Sequence, residues 1–132
     1  MEVIETVVID TDILIDHLRG FPPAKIFLNL FYENTMRGLI STITVMELLS
    51  GKSAAEEGRR TKITKLFSLF KAVNVTFAIA EKAGELRRTY SPNPIDSVIA
   101  ATALSVNCKL VTCNTSHYQV IKGLLLWKPY DK

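Results

Sequence analysis

The stretch VIETVVID, residues 3–10, constrains the fold most. It is a nearly continuous apolar, β-branched run, the pattern of a strand covered on both faces. Covered strands of that kind belong to parallel sheets, whose strands are joined by helical crossovers. The rest of the chain alternates accordingly. TDILIDHLRG reads as a helix closing at Gly20, where Pro22 and Pro23 break the chain before a helix carrying Phe27, Leu28, Leu30 and Phe31. A second strand is expected at 39–43, followed by the helix TVMELLSG capped by Gly51. Ile63, Leu66, Phe67 and Phe70 form one apolar stripe, which predicts a helix over 54–71. A third strand is expected over 72–77 and a helix over 78–90. Asn93 then caps a helix with Pro94 at its first position. A strand at 108–112, a short helix near 117–122 and a strand at 124–127 complete an α/β domain spanning 1–132. Its central, mostly parallel sheet has four to five strands flanked by helices.

Charge and composition exclude more than they assign. Sixteen Lys and Arg against thirteen Asp and Glu give +3, which permits a nucleic-acid partner without requiring one. Arg59, Arg60, Lys62 and Lys65 lie together and Arg87 and Arg88 form a pair; each group reads either as a solvated helix face or as a guide for RNA phosphates. No apolar run approaches the roughly 18 residues of a membrane span. The N-terminus carries acids where a signal peptide would be basic, so a cytoplasmic setting is expected.

Ligands of open α/β sheets bind at the carboxyl ends of the strands. Asp10 ends the first strand, with Asp12 two residues on; Ser41 and Thr42 end the second, with Glu47 about a turn beyond. Asp96 lies in the first turn of its helix, and Thr112 and Asn114 end the fourth strand. Each acid has a local reading: Asp10 as an N-cap, Thr44 and Glu47 as a capping box, Asp96 as a helix-dipole partner. Capping does not require all three to share one rim, and crowded like charges are unfavourable unless a cation holds them. Oxygen donors select Mg2+ or Mn2+ over zinc, and two such ions about 4 Å apart can activate water against a phosphodiester.

The loop KLVTCNTSHYQV, 109–120, offers a competing metal reading, because Cys113 and His117 are both zinc-type ligands. Two ligands do not make a site. Cys108 and Cys113 flank a strand that would hold them on the order of 16 Å apart and on opposite faces, so they read as reduced packing thiols.

Four blocks, VVIDTDILIDHLRG, LISTITVMELLSG, NPIDSVIAATAL and LVTCNTSHYQVIKGL, resemble in order and spacing the signature blocks of PIN-domain proteins, specifically VapC-type toxins of toxin–antitoxin pairs. The resemblance runs over essentially the whole chain and implies a PIN-like three-layer fold and a Mg2+- or Mn2+-dependent endoribonuclease acting on RNA. The family's catalytic and metal-binding acids fall on Asp10, Glu47 and Asp96, its small polar residue on Thr11 and its strand-terminal threonine on Thr112. A VapB-like antitoxin and a homodimer are implied as well. Where relatives often read Thr-x-Asn-x-x-Asp-Phe, this chain has Thr112, Asn114, His117 and Tyr118, so the frequent fourth acid is His117. His117 then binds metal or phosphate, is an incidental surface residue, or weakens the nuclease. The last reading leaves as an alternative a metal- or RNA-binding module acting through a partner. Asp12 is expected near the metal water, Asp16 as a solvated or antitoxin-facing acid, and His17 on the surface or an interface.

Overall fold

A computed structural model describes residues 3–132, so Glu2 of the acidic N-terminus lies outside the described residues. Five parallel strands form one sheet in the order β3-β2-β1-β4-β5. The first strand, β1 (Thr6–Ile9), is central. Its Val7, Val8 and Ile9 are fully buried, as the uninterrupted apolar run requires. Alternate side chains point to opposite faces. Val7 and Ile9 therefore enter one core with α1 (Thr11–Leu18), α2 (Pro22–Tyr32), β2 (Arg37–Ser41), α3 (Thr42–Ser50) and α4 (Glu57–Phe67). Val8 enters the other, with α5 (Phe77–Tyr90), α6 (Pro94–Val106) and α7 (Thr115–Tyr118). The expected three layers are present.

The chain builds outward from β1 through β2 to β3 (Phe70–Val73). It then crosses to the other side of β1 for β4 (Lys109–Val111) and β5 (Leu126–Trp127). The order therefore reverses between β1 and β4, the topological switch point at which such sheets bind ligands. The Asp10 amide extends the ladder there, donating to Val111 O at 2.9 Å.

Several boundaries differ from the sequence reading. Pro22 and Pro23 open α2 rather than only breaking the chain, because proline lacks an amide that the first helical turn does not use. The helix expected over 54–71 is a 3₁₀ turn, Lys52–Ala55, followed by α4; Glu56 between them is extended, with φ −73° and ψ 133°. Ile63 and Leu66 are the buried stripe, but Phe70 belongs to β3, where its ring meets Phe31 edge-on at 5.4 Å. Periodicity alone could not separate a helix end from the strand that follows it. The third strand correspondingly starts at Phe70 rather than 72, and Thr76 caps α5 by accepting from the Ile79 amide at 3.2 Å. β2 begins two residues earlier than expected, and α7 is a single turn at 115–118.

The capping box expected of Thr44 and Glu47 is not formed. Ser41 caps α3 through the Ile43 amide at 3.1 Å, so Thr44 already sits inside the helix and Glu47 is left free for another role. Asn93 and Pro94 occupy the cap and first position of α6 as expected.

Candidate active site

Asp10 stands at the switch point, 4% exposed, as the N-cap of α1. The Thr11 amide donates to its Oδ1 and the Thr112 hydroxyl to its Oδ2, both at 2.8 Å. Thr112 is itself buried and accepts from the Asn114 amide at 3.0 Å. Asn114 thus supports the site through its backbone, while its side chain is exposed and makes no capping bond. Thr11 turns the other way: its hydroxyl donates to Glu47 Oε1 at 2.6 Å and lies 3.0 Å from the Thr44 hydroxyl. α1 and α3 are therefore stitched together directly beside Asp10.

Asp96 closes the opposite side. Asn93 accepts from its amide and donates to its Oδ2, each at 2.8 Å. His117 Nδ1 lies 3.1 Å from the same Oδ2, so this histidine is on the rim and in contact with Asp96. Oδ1 receives the hydroxyl of Tyr118 at 3.1 Å. Tyr118 has no exposed surface, and the sequence reading gave it no role. Its only sequence signal is an aromatic ring at the end of a short helix, one that must find a polar partner when buried.

The electrostatics are those of uncompensated negative charge. Burial first, then the charges of Asp12 and Asp96, push Asp10 from 3.8 to about 7 against the opposing bonds from Thr112 and Thr11. Burial also raises Asp12, whose Oδ2 accepts from the Cys113 amide at 3.1 Å and whose Oδ1 is buried without a partner. Burial and the nearby Asp10 and Asp96 drive the Tyr118 phenol far upward, which keeps it a donor.

This donor set fits a hard divalent cation. The carboxylates supply only oxygen, one buried carboxylate oxygen is orphaned, and the crowding is relieved by positive charge. Among the described residues, no three acid, His or Cys side chains stand together as a formed metal cage. Each acid is held by its own donors instead. Zinc at the 109–120 loop is not supported: the Cys113 thiol packs toward Tyr130 O at 3.4 Å and burial pushes it upward, while His117 turns to Asp96.

Other expectations need correction. Asp16 is not solvated. It is 7% exposed, accepts from the Tyr130 hydroxyl at 2.7 Å and pairs with Lys132 Nζ at 3.0 Å, because the C-terminal residues cover this turn of α1. His17 is half-buried; its Nδ1 has no partner among the described residues, and burial with the Lys25 charge holds it below its usual range. Arg59 is committed to structure, donating from Nη1 to Leu18 O at 2.8 Å at the end of α1. Arg60 is exposed on α4, and Arg87 and Arg88 lie exposed in the last turn of α5, where they complement its dipole. Cys108 and Cys113 are free thiols packed in opposite cores, as expected. No helix among the described residues is long and apolar enough to cross a membrane.

A PIN domain family model matches residues 7–123. Ribonuclease VapC19 of Mycobacterium tuberculosis is 35% identical over 124 residues, covering 88% of this chain and 94% of that protein. A toxin–antitoxin complex from Klebsiella pneumoniae contains a chain that superposes with a TM-score of 0.79 at 30% identity, covering 96% of this chain and 99% of that one. A chain of DNA-bound VapBC from Salmonella typhimurium gives a TM-score of 0.81 at 29% identity, with 97% and 100% covered.

Proposed function

This chain belongs to the PIN-domain family and lies among its VapC ribonucleases, and from that premise we propose that it is the toxin of a toxin–antitoxin pair, hydrolysing single-stranded RNA endonucleolytically with Mg2+ or Mn2+ held by Asp10, Glu47 and Asp96. The observation that carries the reading is the buried Asp10 carboxylate at the switch point, raised to about 7 by burial and by neighbouring carboxylates. A bound cation would neutralise that crowding, polarise phosphoryl oxygens and make water more acidic.

The chain's own residues supply positioning. Thr112 and the Thr11 amide fix both oxygens of Asp10, and Asn93 and Tyr118 fix those of Asp96. The Thr11 hydroxyl ties Glu47 to the start of α1. Oxygens locked in this way need little reordering when substrate arrives. The Klebsiella and Salmonella assemblies support a VapB-like antitoxin as partner, and a homodimer and a cytoplasmic setting complete the proposal.

Purified protein is expected to cut RNA in Mn2+ or Mg2+, to stop in EDTA, and to lose cleavage in Asp96→Asn while keeping its melting temperature. An Asp96→Asn protein as active as the wild type would sink the assignment. Undiminished metal and RNA binding without any cleavage would instead favour a binding module.

A further inference from the structure

At the far end of α1 from Asp10, four cations line one cavity of about 360 Å³: Arg19, the C-cap of α1, Lys25 of α2, and Lys62 and Lys65 of α4. His17 and Tyr32 also line it, and no carboxylate does. None of the four cations forms an ion pair among the described residues. The walls are built rather than incidental, since Arg59 of α4 bonds Leu18 O at 2.8 Å and fixes α4 against the end of α1. The positive field is felt locally: the Lys25 charge helps hold the His17 imidazole below its ordinary range. Cations gathered without counter-charge repel one another, and an arriving polyanion relieves them.

Two features favour a nucleic acid over an acidic peptide. Tyr32 is 53% exposed beside the cations, the combination of a flat ring and positive charge that binds single strands by stacking and phosphate contact. The cavity also lies along the helix that starts at the cleavage rim. The 8 residues of α1 span about 12 Å, the length of roughly four stacked nucleotides.

We propose that the cavity lined by Arg19, Lys25, Lys62 and Lys65 is an RNA-binding subsite that grips phosphates a few nucleotides from the scissile bond. It rests on the ribonuclease reading only for its substrate. Its test is binding of a fluorescent single-stranded RNA to the full chain in EDTA, by anisotropy across a salt series. Replacing Lys25, Lys62 and Lys65 together by Gln is expected to weaken binding and to reduce the slope of log K against log salt by about 2, at about 0.7 per phosphate contact. Replacing the same three by Arg restores both, and Tyr32→Ala weakens binding where Tyr32→Phe does not. Cleavage of a dinucleotide, too short to reach the cavity, stays at the wild-type rate. Wild-type affinity and slope in the Gln variant overturn the subsite, as does unchanged RNA binding with lost binding of a polyglutamate probe, which would make the cavity a protein surface. Because binding is read without cleavage, an inactive protein whose RNA affinity still responds to these lysines would refute the nuclease reading alone.

Discussion

Asp10→Asn should stabilise the metal-free protein above neutral pH while abolishing its activity. The Asp10 carboxyl rises from 3.8 to about 7 on folding, chiefly through burial and then through the charge of Asp12. A carboxyl raised by folding binds its proton more tightly in the native state than in the unfolded chain. Its contribution is therefore favourable below about pH 4 and is lost as pH climbs through the window from 3.8 to about 7. A span of about three pH units at about 1.4 kcal/mol each gives a loss on the order of 4 kcal/mol by pH 8. Asparagine cannot ionise, and its amide oxygen can still accept from the Thr11 amide, so the variant should escape that loss. Urea unfolding of both proteins in EDTA, at about pH 4.5 and pH 8, reads the difference. His17 is common to both proteins, and Asp12, whose charge helps raise Asp10, loses that neighbouring charge in the variant, so the comparison reads Asp10 together with its interaction with Asp12. The expected result is a markedly smaller fall in stability with pH for the variant, and a gain on adding Mn2+ for the wild type only. Parallel pH profiles would show that Asp10 is not the strained charge on which the proposed cation site rests.

Tyr118→Phe removes only the hydroxyl that reaches Asp96 Oδ1 at 3.1 Å. A hydrogen bond to a charged group is worth about 1.5–3 kcal/mol, so kcat/KM for RNA should fall by about tenfold or more with little change in fold; an unchanged value would remove Tyr118 from the site. Gly38→Ala would set a methyl against Phe70 Cδ1, closer than van der Waals contact allows, and 3.2 Å from Phe31 Cδ1, where β2 passes the aromatic cluster. The rings must shift, at about 1–3 kcal/mol, and thermal melting should show it; an unshifted melting temperature would mean the Phe70 ring turns away at no cost.

Much of the candidate site was legible because it lies where strands end. β1 declares itself by composition, and Asp10 closes it; the same holds for Thr112 after β4. Asn93 and Pro94 mark the start of α6, and so place Asp96. Glu47 was misread in its local role: one turn of error at the start of α3 made Thr44 look like the cap that Ser41 is. Asp16 was misread because helical periodicity gives a residue's face but not what the distant C-terminus lays across it. Tyr130 and Lys132 reach Asp16 from more than a hundred positions away.

The sequence by itself determined the kind of fold and the kind of chemistry. Covered strands can be satisfied only by a sheet with helices on both faces, and acids at strand ends have few neutral explanations in common. Tertiary structure alone decided the partnerships. Strand order 3-2-1-4-5 puts the reversal between β1 and β4, so Thr112 meets Asp10 across 102 positions of chain. α7 packing turns Tyr118, outwardly a core residue, into a donor for Asp96. The cations of the α1 C-cap, α2 and α4, scattered from Arg19 to Lys65, become a single cavity wall. Those pairings depend on which elements lie side by side, and local sequence carries periodicity and caps but no record of its distant neighbours.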